Sequence, residues 1–151
     1  MTQQTYYSAE GEDVLVSKLF DRMFPGTCPG VYVDVGAYDP YRNSNTALLH
    51  EKGWRGVNID CRPGSMDAFE RARPFDVNLE VAVGLASGTA TYWTFDRDEL
   101  NGLHTEAEVD RLCRERGAYT VSKCAVPVEP LGDLLHSALV TGVDFLSLDV
   151  E

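Results

Sequence analysis

Apolar residues occur along the chain in short runs that alternate with amphipathic segments. Four runs have the β-branched composition of buried strands: residues 31–35, 56–60, 77–83 and 143–150. Five segments have helical spacing of apolar residues or helix-capping signals: residues 12–24, 45–52, 65–73, 105–117 and 130–139. Strands that alternate with helices pair in parallel through right-handed crossovers. The pattern therefore predicts an α/β fold with an open, mostly parallel sheet.

Individual positions refine these elements. The helix at 12–24 carries one apolar stripe: Leu15, Leu19, Phe20, Met23 and Phe24. A further strand is predicted at 89–95, and the segment 123–130 is predicted to be an edge strand because Pro127 removes a ladder donor. The helix at 105–117 begins with a T-x-x-E capping box. No linker or internal repeat is visible, so we predict one domain over residues 1–151.

The chain ends at the carboxyl tip of the last predicted strand. We therefore expect a sheet that is truncated after its fourth core strand. The unprotected edge of such a sheet is available for self-association. Ligands of open α/β sheets bind in the crevice at the carboxyl ends of the strands, and the candidate site is expected there.

Composition excludes several classes of partner. The 151 residues are 44% apolar and 25% charged, which is the balance of a soluble globular protein. No apolar run is long enough to span a bilayer and no signal peptide is visible, so we expect no membrane contact and a cytoplasmic location. The net charge of -11 would repel polyphosphates, which argues against nucleic acid as a partner. None of the four cysteines belongs to a CxxC pair, so no zinc site is predicted.

The turn after the first strand, VDVGAYDP, contains the first candidate residues. A dinucleotide-binding turn requires G-x-G-x-x-G, but the second and third glycine positions after Gly36 are Tyr38 and Tyr41. Asp34 and Asp39 add carboxylates, which repel phosphate and favour an ammonium group. We therefore predict a phosphate-free, amine-bearing cofactor, with Gly36 as the place where the backbone approaches it.

Two further strand ends carry carboxylates. Asp60 ends the second strand, 24 residues after Gly36, near the spacing at which an acidic residue accepts hydrogen bonds from ribose hydroxyls. Asp149 and Glu151 are two positions apart, so they face the same side of an extended strand. Such a pair can act as a general base, bind a divalent metal or cap the next helix, and these alternatives stay open. His104 is a second candidate base.

Six blocks of the sequence occur together in a known order: YSAEGEDVLV (7–16), YVDVGAYDPYRNSNT (32–46), EKGWRGVNIDCRP (51–63), RPFDVNLEVAVG (73–84), VPVEPLGDLL (126–135) and VDFLSLDVE (143–151). In these blocks the chain resembles the FkbM-type family of S-adenosylmethionine-dependent methyltransferases. SNT before GWRGVNID, and the terminal DFLSLDVE, are the most specific features. The family continues beyond DVE, so the resemblance implies the N-terminal part of a methyltransferase. Ala9 stands where relatives usually carry an amide.

The resemblance implies a Rossmann-like class I methyltransferase fold with S-adenosylmethionine as the cofactor. It also implies that four residues line the methionine part of the cofactor: Asp34, Gly36, Ala37 and Tyr38. Asp60 would bind the ribose, Ala82 would lie near the adenine, and Asp149 would lie near the methyl group and the acceptor.

The resemblance predicts O-methylation of a small molecule or a sugar-containing metabolite. A hydroxyl acceptor must lose its proton, and Asp149 or Glu151 is the candidate base. A divalent metal that lowers the pKa of the hydroxyl is an alternative that the residues do not favour. The alternative function is a non-catalytic or degenerate Rossmann-like module for binding or interaction. Binding of S-adenosylmethionine discriminates between these two functions.

Overall fold

A parallel sheet with helices on both faces forms the centre of the fold in the computed structural model, which describes residues 6–26 and 29–150. The helices are α1 (Glu12–Met23), α2 (Ala47–Glu51), α3 (Met66–Ala72), α4 (Glu106–Arg116) and α5 (Leu131–Ser137). The strands are β1 (Val31–Val35), β2 (Arg55–Asp60), β3 (Val77–Glu80), β4 (Ala82–Val83), β5 (Gly88–Phe95), β6 (Gly102–Leu103), β7 (Thr120–Glu129) and β8 (Phe145–Leu148). A 3₁₀ turn lies at Asp98–Leu100.

The first sheet has the order β3-β2-β1-β8, and all of its pairs are parallel. One face buries Val33, Val35 and Ile59, and α5 packs against it. The opposite face buries Tyr32 against α1 and α2. The strand order reverses between β1 and β8, so the crevice of this sheet lies at the carboxyl ends of those two strands. The predicted α/β fold with a mostly parallel sheet is confirmed.

A second sheet, with the order β4-β7-β5-β6, was not predicted. β4 is parallel to β7, and β5 is antiparallel to both β7 and β6. The single strand predicted at 77–83 is wrong, because Val81 separates β3 from β4 and donates its N–H to the carbonyl of Asp60 at 3.1 Å. Among the described strands, β7 has only β5 beside it along Thr120–Pro127, as Pro127 suggested, but its last two residues also pair with β4.

Most of the apolar stripe of α1 lies outside its buried face, although Phe20 packs against the cluster of Tyr32 and Trp54. Leu15 is 70% exposed and Leu19 is 54% exposed, whereas Asp13 and Ser17 are buried. Asp13 accepts hydrogen bonds from the Tyr7 N–H and from the Ser8 hydroxyl, both at 2.8 Å. These polar contacts fix the rotation of the helix. They therefore leave Leu15 and Leu19 facing solvent.

Helix α2 begins later than predicted, because side chains before it have other partners. The Ser44 hydroxyl accepts the N–H of Ala47 at 3.1 Å. The Thr46 hydroxyl donates to Asp34 at 2.7 Å, and Asn45 donates to Ser147 at 3.2 Å. The segment before α2 thus connects the helix to β1 and β8. α4 has the predicted capping box and ends at its predicted glycine.

The outer strand β8 pairs with β1 alone within the described residues. Its apolar residues Leu146 and Leu148 are exposed. Self-association through this edge stays a prediction. Across residues 6–26 and 29–150, no helix has both the length and the apolar character that crossing a membrane requires.

A buried arginine connects the two strands at the centre of the sheet to the loop that follows β1. Arg73 is fully buried at the end of α3, and its guanidinium donates to five oxygen atoms. The acceptors are Thr46 Oγ1 at 2.9 Å, Ser44 Oγ at 3.1 Å, Asn58 Oδ1 at 3.2 Å, Tyr32 Oη at 3.3 Å and the carbonyl of Pro40. Desolvation of a guanidinium is costly unless its donors are paired, and here most of them are.

Replacement of this residue tests its role in stability. Arg73→Ala leaves five buried acceptors without their donor, so we expect it to lower the free energy of unfolding by about 3–5 kcal/mol. Arg71→Ala, on the exposed surface of α3, is the control and should change it by less than about 0.5 kcal/mol. Urea unfolding measures both variants. Equal midpoints for Arg73→Ala and the wild type would contradict the assignment.

Candidate functional site

The turn after β1 is held between its two neighbouring strands. The N–H groups of Gly36 and Ala37 donate to the carbonyl of Ile59 at 2.9 Å and 3.0 Å. On the other side, the N–H of Asp149 donates to the carbonyl of Val35 at 2.9 Å. The carboxyl ends of β1, β2 and β8 therefore meet around this turn, as the sequence led us to expect.

Gly36 is required by the packing of two main chains. Its φ is 79°, a conformation that glycine adopts without strain. A Cβ atom added to Gly36 would lie only 2.0 Å from the carbonyl oxygen of Asp149. The glycine thus lets the end of β8 approach β1. This differs from the expectation that its missing side chain makes room for a ligand.

The main-chain N–H groups of the turn are used inside the protein. Besides those of Gly36 and Ala37, the N–H of Tyr38 donates to Asp60 Oδ2 at 2.8 Å. A phosphate-binding turn instead directs successive N–H groups toward its ligand. The geometry of the turn agrees with the sequence argument against a pyrophosphate.

Asp60 is half-buried and fixed in orientation. Its Oδ2 accepts the N–H of Tyr38, and its Oδ1 accepts the N–H of Arg62, both at 2.8 Å. An ionised carboxylate has about four lone-pair directions, and these two bonds use two of them. Asp60 can therefore accept further hydrogen bonds, such as those of two ribose hydroxyls.

The Asp34 side chain lies behind the turn and is buried. Burial raises the pKa of its carboxyl. Hydrogen bonds from Thr46 and Ser147 and the charge of Arg73 lower this pKa, but burial has the larger effect. The hydroxyl of Thr46 is 2.7 Å away. The buried carboxylate thus accepts hydrogen bonds from side chains of the protein. Its predicted contact with the methionine part of the cofactor stays a prediction.

Asp149 follows β8 and is exposed, and its main-chain carbonyl lies beside Gly36 at the crevice. The predicted second carboxylate, Glu151, lies outside the described residues. Ala82 begins β4 in the second sheet and is buried, next to Val81, which bonds to Asp60. The catalytic role of Asp149 and the position of Ala82 near adenine stay predictions.

His104 follows β6 of the second sheet. One ring nitrogen, Nε2, lies 2.9 Å from the carbonyl of Leu100, and the ring packs against Phe95 at 5.8 Å between centroids. These contacts give His104 a structural role in the loop before α4. Within the described ranges, no group of three or more His, Cys, Asp or Glu side chains could hold a metal ion.

A cavity of about 720 Å³ lies at the opposite end of the first sheet. Its walls include Phe20 on α1, Lys52 at the end of α2, and Trp54 and Asp144, which precede β2 and β8. None of the predicted site residues lines it. Because ligands of open α/β sheets bind at the carboxyl ends of strands, the crevice around Gly36 remains the candidate site.

Sequence reasoning missed the residues that support the site from behind. Arg73 and Thr46 hold the loop before α2, and Arg62 donates a side-chain N–H to the carbonyl of Tyr38 at 2.6 Å. Arg62 has one sequence signal, since it lies two residues after the strand-end Asp60. Arg73 has none, because an arginine at the end of an amphipathic helix is usually solvated.

Comparison with known families identifies one match. The family described as the methyltransferase FkbM domain matches residues 34–151. Comparisons with curated proteins and with solved structures give no match. The matched region begins at Asp34 and includes the carboxyl ends of β1, β2 and β8.

A pair of glycine substitutions separates main-chain packing from backbone strain. Gly64 has a φ of 77°, close to that of Gly36, but a Cβ atom there would meet nothing within 4 Å. Gly64→Ala should cost about 1–2 kcal/mol from its left-handed conformation alone. Gly36→Ala should cost at least about 1 kcal/mol more because it also forces β8 away from β1. Equal losses in urea unfolding would show that the β1–β8 approach is not the constraint.

Proposed function

The chain belongs to the FkbM methyltransferase family, and from this premise we propose that it is an S-adenosylmethionine-dependent methyltransferase. The family match over residues 34–151 carries the proposal, since this region includes all three strand ends of the crevice. We further propose that the cofactor occupies the carboxyl ends of β1, β2 and β8.

The residues at these strand ends fit the cofactor. Asp60 retains free lone pairs for the ribose hydroxyls, and its two main-chain partners hold it in place. Gly36, Ala37 and Tyr38 contribute the main-chain surface that would line the methionine part. The exposed carboxylate of Asp149 complements a positive charge. When bound, S-adenosylmethionine supplies a methyl group that its sulfonium makes electrophilic.

The protein's own contribution to the reaction is alignment of the acceptor and removal of its proton. We propose a hydroxyl acceptor on a small molecule or a sugar-containing metabolite, by likeness to the family. Asp149 is exposed at the crevice and is the candidate base or positioning group for that hydroxyl. Asp34 would position the turn that lines the cofactor, because it accepts the hydroxyl of Thr46 behind that turn.

Calorimetric titration with S-adenosylhomocysteine, the demethylated cofactor, tests binding. We expect saturable binding to the wild type, and Asp60→Ala should weaken it by about one to two orders of magnitude because ribose hydroxyls lose their acceptor. Asp110→Ala, on the exposed surface of α4, is the control and should leave the affinity unchanged. Thermal unfolding of each variant verifies that the fold is retained.

The same titration separates the two functions. Absence of heat with the folded wild type at high protein concentration would contradict a cofactor-binding role and favour the non-catalytic module. Unchanged affinity in a folded Asp60→Ala variant would contradict the ribose assignment alone.

Transfer of a radiolabelled methyl group tests the class of acceptor. With [methyl-¹⁴C]S-adenosylmethionine and a panel of methyl glycosides of neutral sugars, uronic acids and sugar phosphates, we expect label in a product that resists alkaline hydrolysis, because an ether forms from a hydroxyl. Label that alkali releases would indicate a methyl ester and contradict a hydroxyl acceptor.

A further inference from the structure

Two arginines and a tyrosine form a cationic cluster at the ends of β1 and β2. The guanidinium carbons of Arg42 and Arg62 lie 4.9 Å and 4.6 Å from the ring centroid of Tyr38. One N–H of Arg42 donates to the Tyr38 hydroxyl, and one N–H of Arg62 donates to the Tyr38 carbonyl at 2.6 Å. The Arg42–Tyr38–Arg62 cluster therefore stands two residues beyond Gly36, at the border of the crevice.

The backbone of Tyr38 is held in a conformation that non-glycine residues seldom adopt. Its φ is 55°, and its N–H and carbonyl are both anchored, by Asp60 and by Arg62. Left-handed backbone at a non-glycine residue is strained and is concentrated at functional sites. The two anchors therefore fix the main chain of Tyr38 between Asp60 and Arg62.

The two guanidinium groups retain donors for a ligand. Each has five N–H donors, and among the residues that the structure describes one donor of each is used, in both cases by Tyr38. The ion pairs in the described part of the chain involve other residues, so neither Arg42 nor Arg62 forms a salt bridge there. Arg42 is exposed and Arg62 is half-buried, so a small molecule can reach both.

The charges of both arginines act on the same place. Asp39 accepts the N–H groups of Tyr41 and Arg42 at 2.9 Å and 2.8 Å. Burial opposes ionisation of Asp39, but these N–H bonds and the charges of Arg42 and Arg62 outweigh it and lower the pKa of its carboxyl. Asp39 therefore lies within the fields of both guanidinium groups, which face the same loop.

We propose that Arg42 and Arg62 together bind an oxyanion, a carboxylate or a phosphate, that belongs to the methyl acceptor. The planar guanidinium matches both groups through paired N–H donors. A protein with 24 acidic and 13 basic residues otherwise repels anions, so two such groups at the crevice select for an anionic acceptor. The assignment to the acceptor rests on the proposed methyltransferase function.

Titration with simple anions tests the site directly. Inorganic phosphate and acetate are added separately at low ionic strength while ¹H–¹⁵N NMR follows the amide signals. We expect saturable shifts at Tyr38, Arg42 and Arg62, and the tighter probe identifies the preferred group. Arg42→Gln and Arg62→Gln should each weaken binding about five- to tenfold. Arg71→Gln, an exposed arginine on α3, is the control and should not weaken it.

Arg42 is exposed, so its variant tests the site even if Arg62→Gln fails to fold. Absence of saturable shifts with both anions would overturn the proposal. Shifts that persist unchanged in Arg42→Gln would overturn it as well.

A second comparison distinguishes the acceptor from the cofactor. S-adenosylhomocysteine carries a carboxylate and 5′-methylthioadenosine does not. If the arginine variants weaken only the former, the arginines bind the cofactor's carboxylate and the acceptor assignment is overturned. We expect both affinities to be unchanged. If S-adenosylhomocysteine fails to bind but phosphate still binds at Arg42 and Arg62, the methyltransferase proposal fails and the anion site stands.

Discussion

The fold depends on one buried guanidinium, that of Arg73. A charge in the protein interior costs several kcal/mol unless hydrogen bonds replace its water. Arg73 obtains them from β1 through Tyr32, from β2 through Asn58, and from the loop before α2 through Ser44 and Thr46. Because the N–H donors of the guanidinium point to both strands and to the loop at once, Arg73 fixes the position of the loop relative to the sheet.

The position of that loop determines the shape of the crevice. Thr46 donates to Asp34, which lies behind the turn after β1. Asn45 donates to Ser147 on β8, whose end approaches Gly36 closely. A polar network therefore connects the buried arginine to the two strands between which the strand order reverses. It leaves the carboxylates of Asp60 and Asp149 at the surface, where they are available to a ligand.

The hydrophobic pattern of the sequence predicted most of the elements. β-branched runs marked the four parallel strands, and the strand-end positions of Gly36, Asp60 and Asp149 followed from them. The pattern failed at Val81, because an apolar run does not reveal that the chain changes sheets within it. It also failed on α1, where the polar contacts of Asp13, rather than the apolar stripe, select the buried face. The close approach that requires Gly36 involves residues far apart in the chain, which no local pattern reports.

The central claim is that the crevice around Gly36 binds S-adenosylmethionine. Amide signals in ¹H–¹⁵N NMR, recorded during addition of S-adenosylhomocysteine, test it most directly. The account predicts saturable shifts at Gly36, Ala37, Tyr38 and Asp149, with little change at the opposite end of the sheet. Shifts confined to Gly30, Trp54 and Asp144, which line the cavity at the amino ends of the strands, would contradict it.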